Sequence, residues 1–200
     1  PTLQSDASQR MTKDIMDRVY ITPKRIVTKY AGCKNNLIKD EHYLLERGNG
    51  QSEMNRKKCC IMTSTETEKA SLLLDFGSEL HGGLKLVMGS SSRREPSLVR
   101  IRFGESVGEA NSTTSNSEWK VGFSTDDHAK RDIIMEIPRD GMIEIGNTGF
   151  RFVRLDLLQN NATISLKEIS AILRYRDIPY LGSFECNDQR LNKIWITGAY

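Results

Sequence analysis

IIMEIPRDGMIEIGNTGFRFVRLDLLQNNATISLKEISAILRY, residues 133–175, is the stretch that decides the fold. Ile133, Met135 and Ile137 share one face of a strand, because successive side chains point to opposite sides, and Ile143 and Ile145 resume the alternation after Pro138-Arg139-Asp140-Gly141. Asp-Gly tolerates the positive φ of a tight reversal, so a hairpin is expected there. A second turn is expected at Gly146-Asn147-Thr148-Gly149, before a strand with Val153, Leu155 and Leu157 on one face and Arg154 and Asp156 on the other. Ile164 and Leu166 share the next face, but Ile169, Ala171, Leu173 and Tyr175 are out of phase with them. A β-bulge at Lys167-Glu168, absorbing one residue, reconciles the two halves.

Upstream the same period continues. Leu84, Leu86 and Met88 alternate with Lys85 and Val87, and Val99, Ile101 and Phe103 with Arg100 and Arg102. Leu72–Phe76 and the shorter candidates Arg25–Tyr30, Tyr43–Arg47 and Cys59–Thr63 bring the expectation to eight to ten strands. No helical period alternates with them, which points to a mainly β, antiparallel sandwich or jelly roll rather than a parallel α/β sheet. Two segments break the pattern. Ser5–Val19 places Met11, Ile15 and Val19 at four-residue spacing and reads as a short helix or a frayed leader before Pro23. Near the other end Asn187 or Asp188 can cap a helix with Leu191, Ile194, Trp195 and Ala199 on one side, a stripe that calls for a partner.

Composition sets outer limits. Two hundred residues, 38% of them apolar, suffice for one full-sized domain with a core that needs no disulfides. The net charge is +3, with 12 basic against 7 acidic residues in the first 60, which is no dense basic stripe and argues against nucleic acid. No run approaches the roughly 18 apolar residues of a membrane span. Cys33, Cys59, Cys60 and Cys186 show no zinc spacing, nor do His42, His81 and His128, so neither a metal nor a cofactor is expected. Free thiols are the preferred reading of the cysteines, with a bridge from Cys33 to Cys59 or Cys60 as the alternative in an exported protein.

Four blocks then carry a resemblance. Leu74-Asp75-Phe76-Gly77-Ser78-Glu79-Leu80-His81-Gly82-Gly83 is the first, and Arg100-Ile101-Arg102-Phe103-Gly104-Glu105-Ser106 with Glu109-Ala110 the second. Thr148-Gly149-Phe150-Arg151-Phe152-Val153-Arg154 follows, and Gly182-Ser183-Phe184-Glu185-Cys186-Asn187-Asp188 leads to Leu191-Asn192-Lys193-Ile194-Trp195 and Gly198-Ala199-Tyr200. In this order they resemble the bacterial α-L-rhamnosidases and related glycoside hydrolases, well over residues 60–200, loosely over 23–59 and not at all over the first 22. The resemblance implies a galactose-binding-like jelly roll lying just before a catalytic toroid of paired α-helices. Residues 1–22 are then a leader or the tail of a preceding segment, 23–183 the sandwich, and 184–200 the start of the helical catalytic domain, most of which lies outside this sequence. The parent enzyme would hydrolyse terminal α-linked L-rhamnose with inversion, using acidic residues of the toroid, none of which maps onto this chain. In such a parent the compartment is periplasmic or extracellular if exported and cytoplasmic otherwise.

Inverting hydrolysis needs two carboxyl groups roughly 6.5–9.5 Å apart, one of them with a raised pKa. Glu105 with Glu109 and Asp126 with Asp127 are the available pairs, and on strands and loops of a sandwich they read as solvated charges or ion pairs, so this chain is expected to be inactive alone. Gly104-Glu105-Ser106-Val107-Gly108 matches the G-x-S-x-G pattern, but a nucleophile elbow must open a helix packed on a parallel sheet, and Glu109–Ser117 reads as a polar loop. His81-Gly82-Gly83 reads as a bend or bulge. Trp119 is the aromatic residue singled out for sugar contact, against the heavier reading of core packing. Phe184, Leu191, Ile194 and Trp195 are the expected contacts to the helical catalytic domain. The expected work is mechanical support of that domain, with rhamnose-containing glycans as further partners. The alternatives are a free-standing carbohydrate-binding module and a protein-interaction or adhesion sandwich.

Overall fold

The computed structural model describes residues 17–30, 32, 36–52, 57–92, 94–112, 131–176 and 181–199. Among them are nine strands: β1 (Asp17–Ile21), β2 (Arg25–Tyr30), β3 (Ile38–Lys39), β4 (Cys60–Ser64), β5 (Ser71–Ser91), β6 (Ser97–Gly104), β7 (Asp132–Ile137), β8 (Gly141–Leu157) and β9 (Ala162–Tyr175). Two α-helices, α1 (Val107–Asn111) and α2 (Gln189–Ala199), and a 3-10 turn at Glu41–Leu45 complete the described elements. The chain divides into two compact units, residues 18–175 and a second comprising 1–17 with 176–200.

In the larger unit the strands hydrogen-bond in the order β3-β4-β9-β5-β8-β6-β7, with β1 on β9 and β2 on β5, and every pairing with a resolved register is antiparallel. This is the β-sandwich expected from the alternation. Its two halves share the long strands β5 and β8. Residues 71–75 of β5 pair with β2 and with 152–156 of β8, whereas residues 82–91 pair with β9, and 84–88 also with 141–145 of β8. One continuous core results, with Leu72, Leu74, Leu84 and Leu86 of β5 packed with Ile101 of β6, Leu155 of β8 and Ile169 of β9. Phe150 sits edge-on to Phe76 and Phe103, with ring centroids 5.9 and 4.9 Å away.

The expected bulge is present. Val87 pairs with Glu168 and Met88 with Leu166, so Lys167 is the residue left over. The bend read at Gly82-Gly83 is also present, as a register shift between Gly82 and Leu84. Four expectations are corrected. Gly146–Gly149 does not reverse the chain: β8 runs through it, and a Cβ on Gly83 would lie 2.6 Å from the Gly146 carbonyl, so the glycines let two bent strands touch. Pro138–Gly141 turns the chain without making a hairpin, since β7 and β8 both pair with β6 and β8 begins in the other half of the sandwich. Tyr43–Arg47 is not a strand, because Glu41–Leu45 wind into a 3-10 turn that buries only Leu44. Val19 lies in β1 rather than in a helix, while residues 5–16 lie outside the described region.

Candidate functional site

The outer faces of the sandwich carry its buried charges. On one half, Glu144 of β8, Lys85 of β5 and Ser170 of β9 stand directly opposite one another in register. Lys85 Nζ lies 2.6 Å from Glu168 Oε1, with both side chains buried; Ser170 Oγ donates to the same oxygen at 2.5 Å, and the Gly50 amide donates to Oε2 at 3.0 Å. Burial pushes the Glu168 carboxyl up, but these donors outweigh it and hold the group below its ordinary value. Gly48 closes over the carboxylate so tightly that a Cβ there would be 2.1 Å from Oε2. The Tyr20 ring covers Lys85, whose Nζ is 4.1 Å from the ring centroid. The Tyr20 hydroxyl donates to Glu144 Oε1 at 2.6 Å, and Arg18 Nη1 reaches Oε2 at 3.4 Å.

On the other half, Asp75 is buried and accepts from four donors: Arg151 Nε at 2.8 Å and Nη2 at 3.0 Å, Arg25 Nε at 3.0 Å and the Gly77 amide at 2.8 Å. The Arg151 hydrogen bonds, ahead of the opposing effect of burial, hold this carboxyl well below the usual carboxylate range. Arg102 and Arg154, opposite each other in register, are bridged by Asp156 at 2.7 and 2.9 Å. Arg100 pairs with Asp132, and Arg131 with both Glu105 and Glu109. Arg102 Nη1 also donates to the carbonyls of Asn111 and Ser112. These contacts fasten the two flanks of residues 113–130.

These carboxylates are engaged with the side chains of arginines and lysines. Where shifts are resolved, at Glu41, Asp75 and Glu168, they run downward, opposite to the need of a general acid. Ser106 caps α1, its hydroxyl accepting from the Glu109 amide at 3.1 Å. The polar-loop reading of residues 109–111 is therefore corrected, although the neighbouring sheet is antiparallel, as the dismissal of an elbow required. Cys60 and Cys186 are free thiols, and burial above all pushes Cys60 up to about 12. Cys33, Asp126, Asp127 and His128 lie outside the described residues.

Of the residues singled out in the sequence, Trp119 also lies outside the described region. Phe184, Leu191, Ile194 and Trp195 are exposed, by 44, 47, 59 and 38%. Asp188 is the cap of α2, its Oδ1 accepting from the Arg190 amide at 2.8 Å. Asn192 locks the preceding segment by a reciprocal pair of 2.9 Å hydrogen bonds with the Cys186 backbone. Sequence reasoning missed Tyr20, Arg18, Glu144, Lys85 and Glu168 as a group, because they come from four strands far apart in the chain. The one available signal was Lys85 standing between Leu84 and Leu86 in an otherwise apolar run that ends at Met88.

No protein-family model matches the chain, and no curated protein matches it in sequence. Solved structures do match. A rhamnosidase from Klebsiella oxytoca with rhamnose bound superposes with a TM-score of 0.60 at 15% identity, over 90% of this chain and 33% of that one. A GH78 family rhamnosidase of Bacillus sp. GL1 gives 0.46 at 19% identity, over 69% of this chain and 13% of that one. A fucose binding module of Streptococcus pneumoniae gives 0.46 at 11% identity, over 79% and 96%. The first of these likenesses shows a shared β-sandwich fold, and this chain spans about a third of that rhamnosidase's length.

Proposed function

We propose that this chain is the non-catalytic β-sandwich portion of a larger rhamnosidase-like glycoside hydrolase, in which it supports a helical catalytic domain and contacts carbohydrate. The observation that carries the reading is the superposition of 90% of the chain on one third of a rhamnosidase. The exposed apolar side chains of α2 support it further. Residues 23–183 are then the sandwich and residues 184–200 the start of the catalytic domain, with Phe184, Leu191, Ile194 and Trp195 facing the rest of that domain. The parent enzyme would hydrolyse terminal α-L-rhamnosides with inversion, from carboxylates outside this sequence.

Three measurements test the reading. Incubated with an aryl α-L-rhamnoside, the 200-residue chain is expected to release no aglycone above buffer; turnover overturns the non-catalytic assignment. An antibody to the sandwich, used on the source organism, is expected to detect a polypeptide far larger than 22.7 kDa, and a band at that mass contradicts the larger parent. Titration with rhamnose is expected to give weak binding. Sub-millimolar affinity would instead favour the second reading, a free-standing carbohydrate-binding module, to which the exposed Tyr20 beside Glu144 and Arg18 lends weight. Trp119 belongs to the same question, as a sugar contact on a segment whose flanks are fastened by ion pairs.

A further inference from the structure

We infer that Tyr20, Glu144 and Arg18 form a shallow subsite for a neutral pyranose on the outer face of the sandwich. The inference rests on the carbohydrate-contacting part of the function proposed above and gives that contact a place.

Tyr20 is 43% exposed, yet its ring is fixed from two directions. The Lys85 ammonium lies under one face, 4.1 Å from the centroid, and the phenol is tied to Glu144 Oε1 at 2.6 Å. The opposite face carries no ring or cation contact among the described residues, and it is the flat apolar surface that the subsite would use to stack on the C–H face of a sugar ring. A ring already held in place loses little freedom when a ligand arrives.

The polar groups beside it suit hydroxyls. Among the described residues each oxygen of Glu144 accepts from one donor, Tyr20 or Arg18, which leaves further lone pairs. Arg18 has a single long contact at 3.4 Å, so most of its N–H donors are uncommitted there. A carboxylate next to a guanidinium therefore offers acceptors and donors side by side, the pattern that a vicinal diol matches. The charges balance as well: Arg18 and Lys85 are positive, Glu144 and Glu168 negative. Lys85 is spent on Glu168, so no unpaired charge remains to favour an anionic or cationic ligand.

The test is an amide NMR titration of the full chain with methyl α-L-rhamnoside, D-galactose and D-galacturonate. Saturable shifts at residues 18–21 and 143–145 are expected with the neutral sugars, at a millimolar Kd. Tyr20→Ala is expected to weaken binding about tenfold, and Arg18→Ala to weaken it while leaving the fold intact, since that side chain is largely exposed. Tyr20→Phe, which keeps the stacking face, is expected to retain part of the affinity. Affinity unchanged from that of the unsubstituted chain in both Arg18→Ala and Tyr20→Ala overturns the subsite. So does tighter binding of galacturonate than of galactose. Shifts confined to residues 113–130 also overturn it, while leaving carbohydrate contact standing at another place. No saturable shift with any sugar overturns both the subsite and carbohydrate contact, and the reading of a larger parent is then decided separately by the polypeptide's size and the rhamnoside assay.

Discussion

Glu168 and Lys85 are among the few charged groups that the sandwich buries, and each is the other's only ion-pair partner among the described residues. Replacing one partner strands the other in a poorly solvated place, which typically costs about 3–5 kcal/mol, whereas an apolar pair of similar volume is often tolerated. Glu168→Gln is therefore expected to lower unfolding free energy in urea by about 3 kcal/mol, and Lys85→Met with Glu168→Leu by clearly less. If the double variant is the less stable of the two, the pair contributes net stability and the argument fails. Asp75 adds a pH dependence. Its folded pKa lies below the unfolded value near 3.8, so the stability it contributes is present above about pH 4 and is lost as pH falls further. Asp75→Asn is expected to flatten the acid limb of a stability–pH profile, and an unchanged limb would contradict the role assigned to the two arginines. Neither site was legible in the sequence. Alternation places Asp75, Lys85 and Glu168 on outward faces, but which charge meets which depends on register between strands.

At the scale of elements, the glycines explain both the success and the failure of the sequence reading. A Gly-rich segment supplies the same backbone freedom whether the chain reverses or two strands bend together, so Gly146–Gly149 read as a turn and proved to be a bend in β8. The bulge at Lys167 was legible because a phase slip in apolar residues has no other economical explanation. Gly82→Ala tests the bend. Its Cβ would lie 1.7 Å from the Ile172 carbonyl oxygen, and its φ of 155° is one that side-chain-bearing residues rarely adopt. The expected outcome is a loss of several kcal/mol, or failure to fold, in contrast to Gly182→Ala, where a Cβ meets nothing within 4 Å. Equal stability of the two variants would remove the bend from the account. The helix α2 is limited in another way. Eleven residues are marginal for an isolated helix, so its cap matters. Asp188→Ala is expected to cost about 1 kcal/mol of local helix stability, read as faster amide exchange over residues 190–194, and unchanged exchange would deny Asp188 that role.

For the whole molecule, the decisive property is that the main apolar cluster among the described residues is drawn from the sandwich strands and their connections. The main apolar cluster runs from Leu37 to Ala171, and the partly buried residues packed against it from Ile21 to Leu173. Phe184, Leu191, Ile194 and Trp195 are exposed and belong to neither set. Residues in a core are kept for packing, whereas an apolar stripe outside it has some other use, and on the reading proposed here that use is contact with a helical domain. A polypeptide ending at Tyr175 is therefore expected to unfold cooperatively at the same midpoint as the full chain. For a domain of this size a fall of about 2–4 °C corresponds to roughly 1 kcal/mol. A larger fall in a thermal scan would mean that residues 176–200 stabilise the sandwich itself, and the case for α2 as the opening of a separate domain would be lost. An unchanged midpoint would make the sandwich an independently folded unit, as the supporting role proposed for it requires.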